Sequence, residues 1–135
     1  MADVLIILGS ETDKSYIKKC EDILREYGIS YNVIVSSAHR EPEKTMGIAK
    51  SAKEDGYKVI ITAAGYSAAL AGFVASLTEL PVIGVPLSTS ELKGVDSILS
   101  MVQMPARVPV LTVGVNNASN AAHGAIRILK LLKQH

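Results

Sequence analysis

The fold is decided by residues 33–43, which read Val-Ile-Val-Ser-Ser-Ala-His-Arg-Glu-Pro-Glu. The first three residues are β-branched and apolar, which is typical of a strand. Pro42 suits the first position of a helix, where a missing N–H costs nothing. The stretch therefore predicts a strand end, a polar turn and a helix start. In a parallel α/β sheet, ligands bind at such strand ends.

The polar turn carries a histidine next to an arginine, His39 and Arg40. Histidine exchanges protons near neutral pH, and arginine is a permanently charged anion ligand. The pair therefore suits a proton-transfer residue beside an anion anchor. A solvated turn without chemistry is the more common explanation of a lone His-Arg pair, so the other segments must decide.

Outside this turn, apolar runs of strand length alternate with helical patterns. Continuous runs such as Asp3–Leu8 are typical of strands buried on both faces of a parallel sheet. We predict strands at 3–8, 31–35, 58–62, 81–85 and 108–113. We predict helices at 14–27, 42–55 and 95–102. Another helix follows the small-residue turn 64–70 and runs to about 77. The last helix is predicted at 119–133, with Asn116, Asn117 or Ser119 as its cap.

This alternation predicts an α/β fold of three layers, α/β/α, around a five-stranded parallel sheet. Right-handed crossovers favour the flavodoxin-like strand order 2-1-3-4-5. In that order the turns 9–13, 36–40 and 64–70 lie at one edge of the sheet. We predict the functional site there.

The first and third turns add groups that suit a phosphorylated ligand. Ser10 and Asp13 offer a hydroxyl and a carboxylate at a helix start, which favours a phosphate or ribose hydroxyls, although a plain helix cap explains them too. Gly65 and its small neighbours let backbone amides approach a flat ligand, or let a helix pack tightly on the sheet.

Composition narrows the class of protein. The chain has 135 residues with 48% apolar and 20% charged residues, which predicts one domain, residues 1–135. A net charge of +1 gives no reason to expect nucleic acid or a membrane as partner. We also expect no metal site, because no His/Asp/Glu cluster has ligand spacing, and we expect no chemical role for Cys20, His123 or His135. With no leader or membrane-spanning run in the sequence, we expect a cytoplasmic protein.

Several segments carry a family resemblance. They are GSETD at 9–13, SAHR at 37–40 with Pro42, Ala64-Gly65 with Leu70 and Gly72, LPVIGVP at 80–86, GVDSILS at 94–100 and VQMP at 102–105. Together they resemble the aminoimidazole ribonucleotide carboxylase family of purine biosynthesis, whose bacterial branch is N5-carboxyaminoimidazole ribonucleotide mutase.

The resemblance implies roles for the predicted site. Ser10, Asp13 and Arg40 would hold the ribose phosphate, and His39 would move a proton at C4 of the aminoimidazole ring. The remaining substrate-binding residues implied by the family motifs are Ser37, Ala38, Gly65, Ser67 and Leu70. The resemblance also implies a homo-octamer that acts on a ribonucleotide and CO2, and it implies that the reaction needs neither a metal nor an organic cofactor.

The third turn favours one branch of the family. The mutase branch reads AGGAAHLPG and the direct carboxylase branch AGRSNALSGFV, whereas residues 64–74 read AGYSAALAGFV. Ala68 and Ala69 offer no side-chain donor to a carboxylate on the exocyclic nitrogen, and an unpaired buried carboxylate is costly. We therefore expect direct carboxylation of aminoimidazole ribonucleotide by CO2.

Three alternatives remain open. Arg40 and residues 80–104 resemble the mutase branch, although Arg107 stands where glycine is frequent and the long C-terminal helical extension of that branch is missing. The altered third turn is also compatible with a paralogue that acts on another ribosylated heterocycle. A nucleotide-binding module on the same fold is the last alternative, and His39 argues against it because binding needs no proton shuttle.

Overall fold

A computed structural model describes residues 1–133, so His135 lies outside the described part. The strands are β1 Val4–Leu8, β2 Tyr31–Val35, β3 Val59–Ala64, β4 Val82–Pro86 and β5 Leu111–Thr112. A 3-10 helix, Glu11–Ile17, leads into α1 Lys18–Glu26, and the other α-helices are α2 Pro42–Ser51, α3 Leu70–Ala75, α4 Val95–Val102 and α5 Ala118–Leu132.

The sheet is parallel and its strand order is β2-β1-β3-β4-β5. This confirms the predicted flavodoxin-like order. Leu8, at the end of β1, stands opposite Val35 on β2 and Ala63 on β3. The three strands therefore end level with one another, and the turns that follow them leave from the same edge.

Helices cover both faces of the sheet and give the predicted three layers. On one face, α1 and α5 pack on residues such as Ile6, Leu8 and Ile61. On the other face, α2, α3 and α4 pack on Leu5, Ile7 and Ile60. All five residues of β1 are fully buried, which agrees with an uninterrupted apolar run between two helical layers.

Small differences apart, such as β3 at Val59–Ala64 instead of 58–62 and α3 ending at Ala75 instead of about 77, three predicted elements differ most from the observed ones. The fifth strand was predicted over six residues but pairs over two, because Pro109 has no N–H for the ladder and β5 is an edge strand. The second helix ends at Ser51, and Gly56 with φ +96° then turns the chain into β3. The first helix starts with the 3-10 segment, which Ser10 caps.

Two other sequence predictions concern single residues. Asn117 caps α5, since its side chain accepts a hydrogen bond of 3.1 Å from the backbone N–H of Asn120. Cys20 is fully buried in α1, and burial together with the charge of Glu21 raises the pKa of its thiol to about 12. The thiol therefore stays protonated and acts as a packing group. None of the helices in residues 1–133 is long and apolar enough to cross a bilayer.

Candidate active site

The turns after β1, β2 and β3 and the loop after β4 enclose a cavity of about 390 Å³. The residues that line it are Gly9, Ser10, Thr12, Asp13, Ser37, Ala38, His39, Arg40, residues 64–70 and Thr89. All nine residues predicted for the site line this cavity. Its volume falls in the range of small-molecule sites.

The turn after β1 is tied directly to β3. The N–H of Gly9 donates to the carbonyl of Ala63 at 3.1 Å. A Cβ at position 9 would lie 3.3 Å from the Cβ of Ala64, so glycine permits this close approach. Ser10 then takes an extended conformation, and its hydroxyl caps the 3-10 helix by accepting from the N–H of Thr12 at 3.4 Å.

Asp13 is the one charged residue of the cavity wall that is buried, with 4% of its surface exposed. Burial raises the pKa of its carboxyl above the ordinary value of 3.8, and a hydrogen bond with the backbone of Ser10 opposes the rise only partly. The protein therefore keeps a carboxylate in a position that disfavours its charge. Such a cost is typical of functional residues.

We expect Asp13→Asn to stabilise the fold at neutral pH and to weaken nucleotide binding roughly ten- to a hundred-fold, the scale of one charge-assisted contact. Because the folded state raises the pKa of Asp13, it binds more protons than the unfolded state above pH 3.8. The wild type therefore loses stability as pH rises through the raised pKa, whereas the variant does not. Thermal unfolding from pH 3 to 8 measures this difference.

The control is Asp3→Asn, because Asp3 directly precedes β1 and lies outside the cavity lining. We expect it to leave nucleotide binding unchanged. If Asp13→Asn were less stable than the wild type at pH 7, the carboxylate would be a structural partner rather than a group held at a cost to the fold.

The turn after β2 is held by a buried hydroxyl pair. The N–H of Ser36 donates to the carbonyl of Leu8 at 2.9 Å, and the Ser36 hydroxyl lies 2.6 Å from that of Thr45 on α2. Thr45 Oγ1 also lies within hydrogen-bond distance of the carbonyls of Ser37 and Glu41, at 3.1 and 3.0 Å. Both ends of the turn are therefore fastened to β1 and α2.

His39 and Arg40 lie at the exposed rim of this turn. The N–H of Arg40 donates to the hydroxyl of Ser37 at 3.1 Å, which fixes the backbone between them. Among residues 1–133, no carboxylate forms an ion pair with Arg40, while the neighbouring Glu41 lies 3.7 Å from Lys44. A guanidinium without an internal counter-ion at a cavity rim is suited to bind an anionic ligand.

The turn after β3 is closed by two backbone hydrogen bonds between residues two apart in sequence. The N–H groups of Ala68 and Ala69 donate to the carbonyls of Tyr66 and Ser67, at 2.9 and 2.5 Å, and α3 begins only at Leu70. Tyr66 has a left-handed backbone with φ +55°.

Thr89 completes the cavity and was missed by sequence analysis. A Cβ on Gly65 would lie 1.8 Å from the Thr89 hydroxyl oxygen, so the two residues fit only because position 65 is glycine. Thr89 follows β4, which neighbours β3 in the sheet. The predicted strand order already places the loop after β4 beside the turn after β3, but the predicted site included only the first three turns.

The sequence comparisons identify the family of the chain. The family model described as AIR carboxylase matches residues 3–135. The chain belongs to the AIR carboxylase family. It is therefore an enzyme, and the predicted family resemblance is confirmed.

Two curated relatives carry different names within the AIR carboxylase family. The N5-carboxyaminoimidazole ribonucleotide mutase of Saccharolobus solfataricus is 53% identical over 129 residues, which are 96% of this chain and 82% of that protein. The chloroplastic phosphoribosylaminoimidazole carboxylase of Vigna aconitifolia is 51% identical over 123 residues, which are 91% of this chain but 22% of that protein.

A solved structure supports the fold of this AIR carboxylase family member. Treponema denticola PurE superposes with a TM-score of 0.85 at 33% identity, over 95% of this chain and 80% of that one.

Proposed function

We propose that this enzyme forms 4-carboxy-5-aminoimidazole ribonucleotide in de novo purine biosynthesis by moving a carboxyl group from N5 to C4 of aminoimidazole ribonucleotide. The observation that carries the proposal is an identity of 52–53% to relatives named as this mutase, over 75–82% of their length. This favours the mutase alternative over the direct carboxylation expected from the third turn, because the relative named as a carboxylase, although 51% identical, is covered over only 22% of its length.

The proposed reaction uses His39 as the proton carrier. The bond between N5 and the carboxyl carbon breaks and releases CO2 inside the cavity, while the exocyclic nitrogen takes a proton from His39. C4 of the electron-rich ring then attacks the CO2, and the C4 proton passes to the imidazole, which restores His39. Atoms and protons balance, and no CO2 leaves the protein.

The proposed binding roles follow the charges around the cavity. Arg40, which has no internal counter-ion within residues 1–133, would hold the phosphate together with the Ser10 hydroxyl. The buried carboxylate of Asp13 would accept hydrogen bonds from the ribose hydroxyls. Holding both ends of the ribose phosphate places the ring near His39, and such positioning contributes to the rate.

A second candidate is direct carboxylation of aminoimidazole ribonucleotide by CO2. The observation that favours it is Ala69 in the third turn, which has no side-chain donor for a substrate carboxylate. In that reaction C4 attacks CO2 taken from solution, and His39 passes the C4 proton to solvent.

The assay that separates the two candidates supplies purified enzyme with each substrate at controlled bicarbonate. The proposal predicts conversion of the N5-carboxylated isomer faster than its spontaneous decay and independent of added bicarbonate. Product that forms only from aminoimidazole ribonucleotide, at a rate that rises with bicarbonate, would contradict it and establish the second candidate.

We further propose that the enzyme acts as a homo-octamer. In support, Val95, Leu99 and Val102 form an apolar stripe on α4 whose members are 57%, 59% and 51% exposed, and exposed apolar stripes mark interfaces. Light scattering at micromolar concentration should give eight times the 14.3 kDa chain mass. A monomer mass would contradict the proposal, and Leu99→Lys should lower the observed mass.

A further inference from the structure

Tyr66 has the most unusual backbone conformation among the residues that line the cavity. Its φ of +55° lies in the left-handed region, which glycine and asparagine enter easily and bulky side chains rarely do. Glycine at this place would remove the strain. A strained non-glycine residue at a functional site points to a role for its side chain.

The side chain of Tyr66 is not used to build the fold. It is 65% exposed although it lines the cavity, and it belongs to neither of the two hydrophobic cores. The aromatic contact and the cation–π contact in residues 1–133 both involve Tyr27 instead. The ring of Tyr66 therefore remains available to a ligand.

Apart from His39, which the proposed reaction uses as the proton carrier, the rest of the wall offers no side-chain ring on which a flat ligand could stack. The third turn contributes Gly65 and three alanines, and Leu70 is only 2% exposed. The polar groups that suit a ribose phosphate come from the first two turns. Among the lining residues, Tyr66 supplies the single phenol ring, and aromatic rings bind heterocycles by stacking on their faces.

We propose that the ring of Tyr66 stacks on the aminoimidazole ring of the substrate and shields C4 from water. This inference rests on the proposed function, since it names the residue that recognises the heterocycle. Stacking needs the ring of Tyr66 but not its hydroxyl. Excluding water keeps released CO2 beside C4 and strengthens the charges that act on it.

The test measures binding of two probes, aminoimidazole ribonucleotide and ribose 5-phosphate, to three forms of the enzyme. Tyr66→Asn removes the ring but keeps a residue that tolerates positive φ, so the turn is preserved. We expect its affinity for aminoimidazole ribonucleotide to fall roughly ten-fold, within the range for loss of one stacking contact. Its affinity for ribose 5-phosphate should not change, and Tyr66→Phe should bind both probes like the wild type.

Three other binding results would overturn the proposal, each in a distinct way. If Tyr66→Phe loses as much affinity as Tyr66→Asn, the hydroxyl makes the contact. If Tyr66→Asn loses affinity equally for both probes, the residue shapes the turn instead. If Tyr66→Asn binds aminoimidazole ribonucleotide like the wild type, the ring makes no contact. A wild-type enzyme that binds aminoimidazole ribonucleotide but forms no C4-carboxylated product from either substrate contradicts the proposed function, while the binding comparison still decides the role of Tyr66.

Discussion

His39→Asn is expected to lower kcat by at least about 100-fold, the scale for losing a general acid–base. Asparagine keeps a polar side chain but exchanges no proton at neutral pH. The melting temperature should stay close to that of the wild type, because the turn is held by Ser36, Ser37 and Thr45 while His39 is exposed. Steady-state kinetics and thermal unfolding of the same preparation measure both quantities.

The matched control is His123→Asn on α5. His123 lies against Tyr27 with ring centroids 6.0 Å apart and does not line the cavity. We expect its kcat to equal that of the wild type even if its stability changes. A folded His39→Asn variant with near-normal turnover would remove the proton-transfer step from the proposed mechanism.

Arg40→Ala is expected to weaken nucleotide binding roughly ten- to a hundred-fold, since a hydrogen bond to a charged group contributes about 1.5–3 kcal/mol. The loss should be specific to ligands with a phosphate, because the guanidinium has no carboxylate partner within residues 1–133. Titration calorimetry with aminoimidazole ribonucleotide and with its dephosphorylated riboside separates the two effects.

Arg127→Ala is the control for loss of one positive charge, because Arg127 is exposed on α5 and lies outside the cavity. It should bind both ligands like the wild type. If Arg40→Ala weakened the nucleotide and the riboside by the same factor, Arg40 would support the turn rather than the phosphate.

The sheet and the placement of the site could be predicted because they depend on short-range patterns. Apolar runs of strand length alternate with helical patterns, and right-handed crossovers restrict the order of parallel strands. Once the order is fixed, the turns after β1, β2 and β3 must share an edge. The strand order alone therefore predicts that Ser10, His39 and Gly65 lie at the same edge of the sheet.

The features that were missed depend on contacts distant in sequence. Thr89 joins the cavity through its fit against Gly65, and no local pattern marks that pair. The left-handed backbone of Tyr66 is likewise set by the turn around it, since tyrosine itself disfavours positive φ. The fifth strand was predicted too long because Val110 and Val113 favour strands, whereas Pro109 at the sheet edge limits the pairing.

The third turn and the similarity along the chain favour different reactions. Ala69 removes a side-chain donor, which favours direct carboxylation when the turn is considered alone. The relatives named as mutases match along nearly the whole chain. A substrate carboxylate can also be bound by backbone amides, which do not depend on the identity of residue 69.

The central claim, that the carboxyl group moves from N5 to C4 without leaving the protein, is tested most directly with labelled substrate. The N5-carboxylated isomer carrying carbon-13 in its carboxyl group is mixed with enzyme in excess unlabelled bicarbonate and quenched within one turnover. The account predicts that the C4 carboxylate of the product retains the label. A product whose carboxyl carbon matches the unlabelled bicarbonate pool would contradict it.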